Sequence, residues 1–191
     1  MTGGTDVTRV AGLLLAAGGG RRYGRPKALV ERDGRLAVSD ALDVLRAGGC
    51  APLVVVLGAA AGEVRARADL AGATVVANPD WATGMGSSLR VGLAALDPTG
   101  ATAALVMLVD TPGVTVAAVR RLAALAGTGV LARASYHGTP GHPVLLGRDH
   151  WAGVAAAATG DEGARPYLAG HDVTAVACED VADGTDIDTP P

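Results

Sequence analysis

The sequence predicts an α/β fold with a mostly parallel, doubly wound sheet, interrupted by a small antiparallel excursion. Short runs of apolar residues, such as 53–57 (LVVVL), have strand length and the continuous hydrophobicity of strands buried on both faces. These runs alternate with longer stretches of helical character, the order that generates parallel βαβ units. The 191 residues suffice for one α/β domain. We therefore predict a single domain over residues 1–191, in which residues 1–8 form a loose tail.

Each element follows from the local pattern of apolar residues and from the residues that interrupt it. The predicted strands span residues 10–15, 53–57, 74–77, 103–109, 129–134 and 174–178. The predicted helices cover the regions 39–48, 62–70, 84–96, 115–125, 149–158 and 163–168. Ser39 and Thr115 have the residue types of helix N-caps. Repeated Gly and Pro in 135–146 predict the irregular antiparallel excursion.

Composition and charge exclude several classes of function. The formal net charge of −3 argues against general nucleic-acid binding, which requires a basic surface. No apolar stretch is long enough to cross a membrane, and the start of the sequence lacks the features of a signal peptide. Cys50 and Cys178 lie outside any metal-ligand spacing, so we expect two buried thiols in a reducing compartment. The predicted location is the cytoplasm.

A glycine-rich basic loop follows the first predicted strand. Gly18, Gly19 and Gly20 allow backbone amides to approach an anion closely, and Arg22 and Lys27 add positive charge. Together they are suited to a triphosphate, although a simple strand–helix turn with solvated arginines has the same composition. The loop lacks the Gly-Lys-Ser/Thr ending of a P-loop. The spacing of its glycines also fits a dinucleotide-binding fingerprint poorly.

Carboxylates occur at two further positions where ligands bind open parallel sheets. Asp110 follows an almost wholly apolar strand, and Asp186 and Asp188 are two residues apart near the end of the sequence. Mg²⁺ takes one or two carboxylates together with phosphate oxygens and water, so these residues are candidate metal ligands. A strand-end turn for Asp110 and a solvated acidic tail for the other two are the alternative interpretations.

Four polar residues are candidate substrate-binding residues. Asn78, Ser87 and Ser88 lie near the predicted start of the 84–96 helix, where hydroxyl and amide groups can bind a phosphate. Ordinary helix capping explains the serines equally well. His142, between Gly141 and Pro143, either lines an acceptor pocket or is a structural turn histidine.

Several blocks, in order along the chain, resemble the nucleotidyltransferases that act on the molybdenum cofactor. The first is Leu15-Ala-Ala-Gly18-x-Gly20-x-Arg22-x-Gly24-x-Pro26-Lys27. The later blocks are Asn78-x-x-Trp81-x-x-Gly84 with Ser87-Ser88, Leu108-Val-Asp110-Thr-Pro112, Gly141-His-Pro143, Gly160-Asp161-x-Gly163-Ala-Arg165 and Asp186-Ile-Asp188-Thr-Pro190. The resemblance implies a Rossmann-like nucleotidyltransferase fold.

The resemblance also implies an activity, a metal and residue roles. The loop with Ala16-Ala17 and Pro26-Lys27 resembles the cytidylyl branch, which implies transfer of CMP from CTP to the terminal phosphate of molybdopterin, with GTP the less favoured donor. The nucleotide would be held by the loop residues Leu15, Ala16, Ala17, Gly18, Gly19, Gly20, Arg22 and Lys27. Arg22, Lys27 and Asp110 would be the catalytic residues, and Asp110, Asp186 and Asp188 would hold Mg²⁺.

Partners and competing activities follow from the same reasoning. The expected partners are a nucleoside triphosphate and a molybdopterin-type small molecule, together with a molybdoenzyme or its chaperone. We expect the protein to bind neither nucleic acid nor a membrane. A nucleotidyltransferase acting on a sugar phosphate or another small phosphate is the alternative within enzymes. A non-catalytic carrier of the molybdenum cofactor would keep the acceptor pocket without needing the carboxylates. A nicotinamide-dependent oxidoreductase is disfavoured because the dinucleotide spacing fails.

Overall fold

The computed structural model describes residues 9–20 and 23–187. Three sequence-based predictions fall outside these residues: the loose tail 1–8, the catalytic and nucleotide-binding role of Arg22, and the metal-binding role of Asp188. All statements below concern the described residues. In this part of the chain, no helix combines the length and apolar character required to cross a membrane.

The elements alternate along the chain as the sequence predicts. The strands are β1 Val10–Ala16, β2 Glu31–Arg32, β3 Arg35–Leu36, β4 Leu53–Leu57, β5 Ala73–Ala77, β6 Ala103–Leu108, β7 Leu131–Tyr136, β8 Thr139–Gly147 and β9 Thr174–Ala177. The α-helices are α1 Ala37–Ala47, α2 Ala61–Arg67, α3 Met85–Leu96, α4 Val116–Ala123, α5 Trp151–Ala157 and α6 Arg165–Ala169. Short 3-10 turns join several of these elements.

Seven of the described strands form one sheet in the order β5-β4-β1-β6-β8-β7-β9. Strand β8 pairs antiparallel with both β6 and β7, and every other pair in this sheet is parallel. Strands β2 and β3 form a separate antiparallel pair. The predicted α/β class with a mostly parallel sheet is confirmed. The antiparallel excursion is also present as the nine-residue strand β8 inside the sheet, and its pairing with β7 has a register shift between Arg133 and Ser135.

The central strands bury both of their faces. In β1, Leu13 and Leu15 point into one hydrophobic cluster, whereas Leu14 points into the other, as expected for side chains that alternate across a strand. The first cluster also takes up residues of α3, α5 and α6, and the second takes up residues of α1, α2 and α4. Helices therefore cover both faces of the sheet, which explains why the strand sequences are continuously apolar.

One of the two predicted N-caps is correct. Thr115 caps α4, its Oγ1 accepting a hydrogen bond from the Ala118 amide at 3.3 Å. Ser39 lies inside the first turn of α1, which begins at Ala37, so its assignment as an N-cap is wrong. The Ser39 hydroxyl instead accepts a hydrogen bond from the Asp69 amide at 3.0 Å. Ser39 thus ties α1 to the segment after α2, a long-range contact that local sequence does not reveal.

Close packing of α3 on the sheet depends on Gly92. A Cβ atom at this position would lie 2.5 Å from Leu13 Cδ1, and Leu13 is fully buried in the strand beneath. We expect Gly92→Val to lower the free energy of unfolding by about 2–3 kcal/mol, because overpacking a dense core forces neighbours to shift. Urea denaturation measures the effect. Gly62→Ala in α2 is the control: its Cβ would meet no atom within 4 Å, so no loss is expected.

The buried Cys50 thiol makes the free energy of unfolding depend on pH in the alkaline range. Burial raises the pKa of the Cys50 thiol from about 9 to about 12. Between these values the unfolded chain loses a proton that the folded chain keeps, so this contribution is complete below pH 9 and is lost as pH rises towards 12. The urea midpoint of unfolding should fall between pH 8 and pH 10.5. This fall should be larger for the wild type than for Cys50→Ala. Equal falls in the two proteins would contradict the buried-thiol assignment.

Candidate functional site

The strands β1 and β6 end at an open cleft with a volume of about 460 Å³. The cleft combines glycine-rich backbone, charged side chains and one tryptophan. Its lining includes Leu15, Ala17, Gly18, Gly19, Gly20, Lys27, Trp81, Thr83, Gly84, Met85, Ser88, Asp110, Asp161, Arg165 and Asp186. A cleft outside the carboxyl ends of the strands is where open α/β sheets bind their ligands.

The glycine-rich loop has a conformation that depends on Gly20. This residue has a φ of +62°, and a Cβ there would lie 1.8 Å from the Arg25 carbonyl oxygen. The Gly20 carbonyl accepts a hydrogen bond from the Gly24 amide at 2.8 Å. Upstream, the Ala17 carbonyl accepts from the Ala59 amide at 2.9 Å, which joins the loop to the end of β4. The loop is therefore held at both ends while Gly18 and Gly19 face the cleft.

Trp81 packs directly on this loop. A Cβ atom on Gly19 would lie 2.9 Å from the indole ring of Trp81, and a Cβ atom on Gly58 would lie 2.4 Å from the Trp81 Cβ. The tryptophan is half-buried and also lines the cleft. It therefore both supports the loop and presents an aromatic surface to any ligand in the cleft.

Lys27 and Asp110 form an ion pair at the floor of the cleft. Lys27 Nζ donates to Asp110 Oδ2 at 2.9 Å, and the side chains are 16% and 22% exposed, respectively. The second carboxylate oxygen, Oδ1, is buried and has no hydrogen-bond partner among the described residues. A buried carboxylate oxygen without a partner is costly, and coordination to a cation would satisfy it.

The C-terminal segment passes beside Asp110. The Ile187 amide donates to the Asp110 carbonyl at 2.9 Å, and the Asp183 amide donates to the Gly113 carbonyl at 3.0 Å. Asp186 lines the same cleft as Asp110. No group of three or more His, Cys, Asp or Glu arranged to hold a metal occurs in residues 9–20 and 23–187. The usual environment of Mg²⁺ combines one or two carboxylates with substrate oxygens and water.

Asn78 and Ser87 have internal hydrogen-bond partners. Asn78 is 2% exposed, and its Nδ2 donates to Ser87 Oγ at 2.8 Å and to Ser88 Oγ at 3.0 Å. Its Oδ1 accepts from the Asp80 amide at 3.0 Å, and the Ser87 hydroxyl donates to the Asp80 and Gly84 carbonyls. These hydrogen bonds join Asn78 and Ser87 to the start of α3, and the substrate-binding role of the two residues stays a prediction. Ser88 does line the cleft.

His142 lies on β8, near the carboxyl end of β6. Its Nδ1 is 3.4 Å from the Val106 carbonyl oxygen, and its own carbonyl accepts from the Tyr136 hydroxyl at 2.7 Å. Burial lowers the pKa of His142, and the nearby Arg165 guanidinium lowers it further, while the Val106 carbonyl and the Asp110 carboxylate act against that change. The residue is half-buried and does not line the cleft. This environment favours the structural interpretation over direct ligand binding.

Two charged cleft residues were not among the predicted site residues. Asp161 and Arg165 belong to the Gly160-Asp161-x-Gly163-Ala-Arg165 block, and both line the cleft. The spacing of the charged residues within this block was the sequence feature that could have indicated a role in the site. It could not be interpreted without knowing that the segment 158–165 folds against α3.

These features define a class of protein. A mostly parallel sheet that ends in a glycine-rich loop, with a lysine and a strand-end carboxylate paired in the cleft, is the arrangement of an α/β nucleotidyltransferase. The chain belongs to the MobA-like NTP transferase family, whose domain model matches residues 12–176. The family resemblance stated from the sequence is thereby confirmed.

Known proteins similar to this chain carry different names. Nicotine blue oxidoreductase from Paenarthrobacter nicotinovorans is 41% identical over 197 residues, covering 98% of this chain and 96% of that protein. The structure of Rv0371c from Mycobacterium tuberculosis H37Rv is 33% identical with a TM-score of 0.81, covering 95% of this chain and 94% of that chain. The structure of Rv0371c in complex with manganese is 33% identical with a TM-score of 0.73, covering 89% of this chain and 88% of that chain.

Proposed function

We propose that the protein transfers CMP from CTP to the terminal phosphate of molybdopterin and releases pyrophosphate. The observation that carries this proposal is the Lys27–Asp110 pair beside the glycine-rich loop, in the same cleft as Asp186. A positive side chain next to backbone amides is suited to phosphates, and the carboxylates are suited to a divalent cation. The preference for CTP rests on the resemblance of the loop to the cytidylyl branch.

The residues of the cleft fit a divalent metal. Asp110 Oδ1 is buried without a partner among the described residues, and a carboxylate oxygen in that state is a suitable ligand. Asp110 and Asp186 would hold Mg²⁺ or Mn²⁺, which would neutralise charge on the triphosphate. The manganese complex of Rv0371c, a relative at 33% identity, supports a divalent metal in this family.

In the proposed reaction, the protein positions the two substrates and stabilises the negative charge on their phosphates. The amides of the loop 17–20 bind the nucleotide, and Lys27 stabilises negative charge on its phosphates. Trp81 closes one side of the nucleotide position. A phosphate monoester is already anionic near neutral pH, so the acceptor needs no side chain to remove a proton before it attacks the α-phosphorus. Holding the two phosphates in line supplies the remaining acceleration.

The decisive experiment offers the protein each of the four nucleoside triphosphates with molybdopterin, with and without Mg²⁺ or Mn²⁺. We expect metal-dependent release of pyrophosphate, fastest with CTP. The same assay with sugar phosphates and other small phosphates tests the alternative acceptors. If molybdopterin binds but no nucleotide yields pyrophosphate, the protein is a carrier of the cofactor rather than a transferase.

A second candidate function is an oxidoreductase acting on nicotine blue. The observation that favours it is the 41% identity to a protein named nicotine blue oxidoreductase over nearly the whole length of both chains. The half-buried indole of Trp81 beside the cleft would suit a planar aromatic ligand. Oxidation of NADH or NADPH, followed by absorbance with nicotine blue as acceptor and without nucleoside triphosphate, would support this function over transfer.

We further propose a setting for the transferase. The protein would act in the cytoplasm and would pass its product to a molybdoenzyme or to the chaperone of one. A pull-down with the full chain, in the presence and absence of the reaction product, tests this partnership.

A further inference from the structure

Arg165 presents a positive charge to the cleft. It is the first residue of α6, is exposed, and lines the cleft together with Asp161 and Ser88. Within the described part of the chain, no hydrogen bond or ion pair involves its guanidinium. An arginine that faces a cleft without an internal partner is available to an anionic ligand, for which its planar fork of N–H donors is suited.

The segment before Arg165 is fixed against α3 by backbone contacts. A Cβ on Gly84 would lie 2.3 Å from the Gly160 carbonyl oxygen, and a Cβ on Gly86 would lie 2.8 Å from the Ala158 carbonyl carbon. The Arg90 guanidinium also donates to the Ala158 carbonyl. Because main chain packs directly on main chain here, the position of α6 relative to the cleft is well defined. The base of the Arg165 side chain is therefore held in place.

Arg165 and the glycine-rich loop reach the cleft from different elements of the fold. The loop continues from β1, which neighbours β6 on one side, whereas β8 neighbours β6 on the other. Arg165 is close enough to His142, on β8, for its charge to affect that imidazole. Among the described residues, two cations line the cleft, Lys27 and Arg165, and Lys27 is paired with the Asp110 carboxylate at 2.9 Å.

We propose that Arg165 binds the phosphate monoester of the second substrate, in a subsite across Asp110 from the nucleotide. This inference rests on the proposed transferase function and assigns the acceptor to the β8 side of the cleft. Because Lys27 follows the glycine-rich loop whereas Arg165 belongs to α6, the two cations are suited to two anionic substrates rather than to one. A single triphosphate on the glycine-rich loop and Lys27 would leave Arg165 without a ligand.

The chemistry of this arrangement balances without a further reactant. An oxygen of the acceptor phosphate forms a bond to the α-phosphorus of the nucleotide. The bond from that phosphorus to the bridging oxygen of the β-phosphate breaks, and pyrophosphate leaves with the electron pair. The dianionic acceptor and the tetraanionic nucleotide give a doubly charged product and tetraanionic pyrophosphate, so no proton is transferred. Arg165 stabilises the acceptor's charge as it approaches the nucleotide's phosphates.

The test compares Arg165→Met with Arg65→Met, which replaces an exposed arginine on α2 outside the cleft. We expect Arg165→Met to raise the KM for the acceptor about 10- to 100-fold, the scale of a lost hydrogen-bonded charge contact, while the KM for CTP stays within about twofold. Arg165→Lys should recover part of the loss. Arg65→Met should behave as the wild type.

A binding measurement separates this inference from the proposed function. Inorganic phosphate, titrated by calorimetry into the full chain in the presence of Mg²⁺ and a non-hydrolysable CTP analogue, should bind at least 10-fold more weakly to Arg165→Met. Equal phosphate affinity in wild type and variant, or an effect on the KM for CTP alone, would overturn the subsite. If the wild type releases no pyrophosphate with any nucleotide but phosphate binding still requires Arg165, the transferase proposal fails and the anion subsite stands.

Discussion

Replacing Asp110 with Asn should reduce the turnover number for pyrophosphate release by at least 10²-fold. The substitution keeps the shape of the side chain but removes the negative charge that pairs with Lys27 and that would attract a metal to the buried end of the carboxylate. Loss of one preorganised charge-stabilising group in an active site has an effect of this size. The measurement is steady-state pyrophosphate release with saturating CTP and metal, together with Mn²⁺ binding by electron paramagnetic resonance, which should also weaken.

The control for this variant is Asp97→Asn. Asp97 is an exposed carboxylate paired with Arg148 at 2.8 Å and lies outside the cleft, so its loss should leave turnover unchanged. Thermal unfolding of both variants should remain cooperative. Asp110→Asn with near wild-type turnover and Mn²⁺ affinity would remove Asp110 from the proposed machinery.

Replacing Asn78 with Ala should destabilise the fold by about 2–4 kcal/mol. The substitution removes the buried donor to Ser87 and Ser88 and the acceptor of a part-buried hydrogen bond from the Asp80 amide. Buried polar groups that lose their partners cost about 1–3 kcal/mol each, although a hydroxyl can partly recover by rotating. Chemical denaturation measures the effect on the free energy of unfolding.

A nearby hydrogen bond supplies the comparison for Asn78. Thr83 lies in the same turn, and its Oγ1 donates to the Asp80 carbonyl at 2.7 Å in an exposed position. Thr83→Ala should cost well under about 1 kcal/mol, because water replaces an exposed partner. Similar stability losses in the two variants would show that burial of the Asn78 network is not the source of the effect.

Much of the sheet could be predicted from the sequence because its strands are buried on both faces. Runs such as Leu53–Leu57 are uniformly apolar, and Asp110 stands out because it directly follows one of them. The glycine-rich loop was recognisable for a similar reason, since only glycine adopts the conformation of Gly20 without strain. Local composition therefore sufficed to predict both the strand ends and the residues placed there.

Contacts between distant segments could not be predicted in the same way. Whether Asn78 binds a ligand or the protein depends on how the end of β5 meets the start of α3, which has no local signature. The inserted position of β8 likewise depends on pairing with β6, about 40 residues earlier in the chain. Arg165 belongs to a recognisable motif, yet its orientation towards the cleft depends on the packing of 158–161 against Gly84 and Gly86.

The contact between Gly84, Gly86 and the 158–161 segment has a consequence for how substrate choice can change. Because no side chain separates the two backbones, the width of the cleft on this side cannot be adjusted in small steps by exchanging one residue for a slightly larger one. Any side chain at Gly84 or Gly86 would force the two segments apart. Variation in acceptor preference among related chains should therefore concentrate in the side chains that project from this rigid frame, such as Met85 and Arg165.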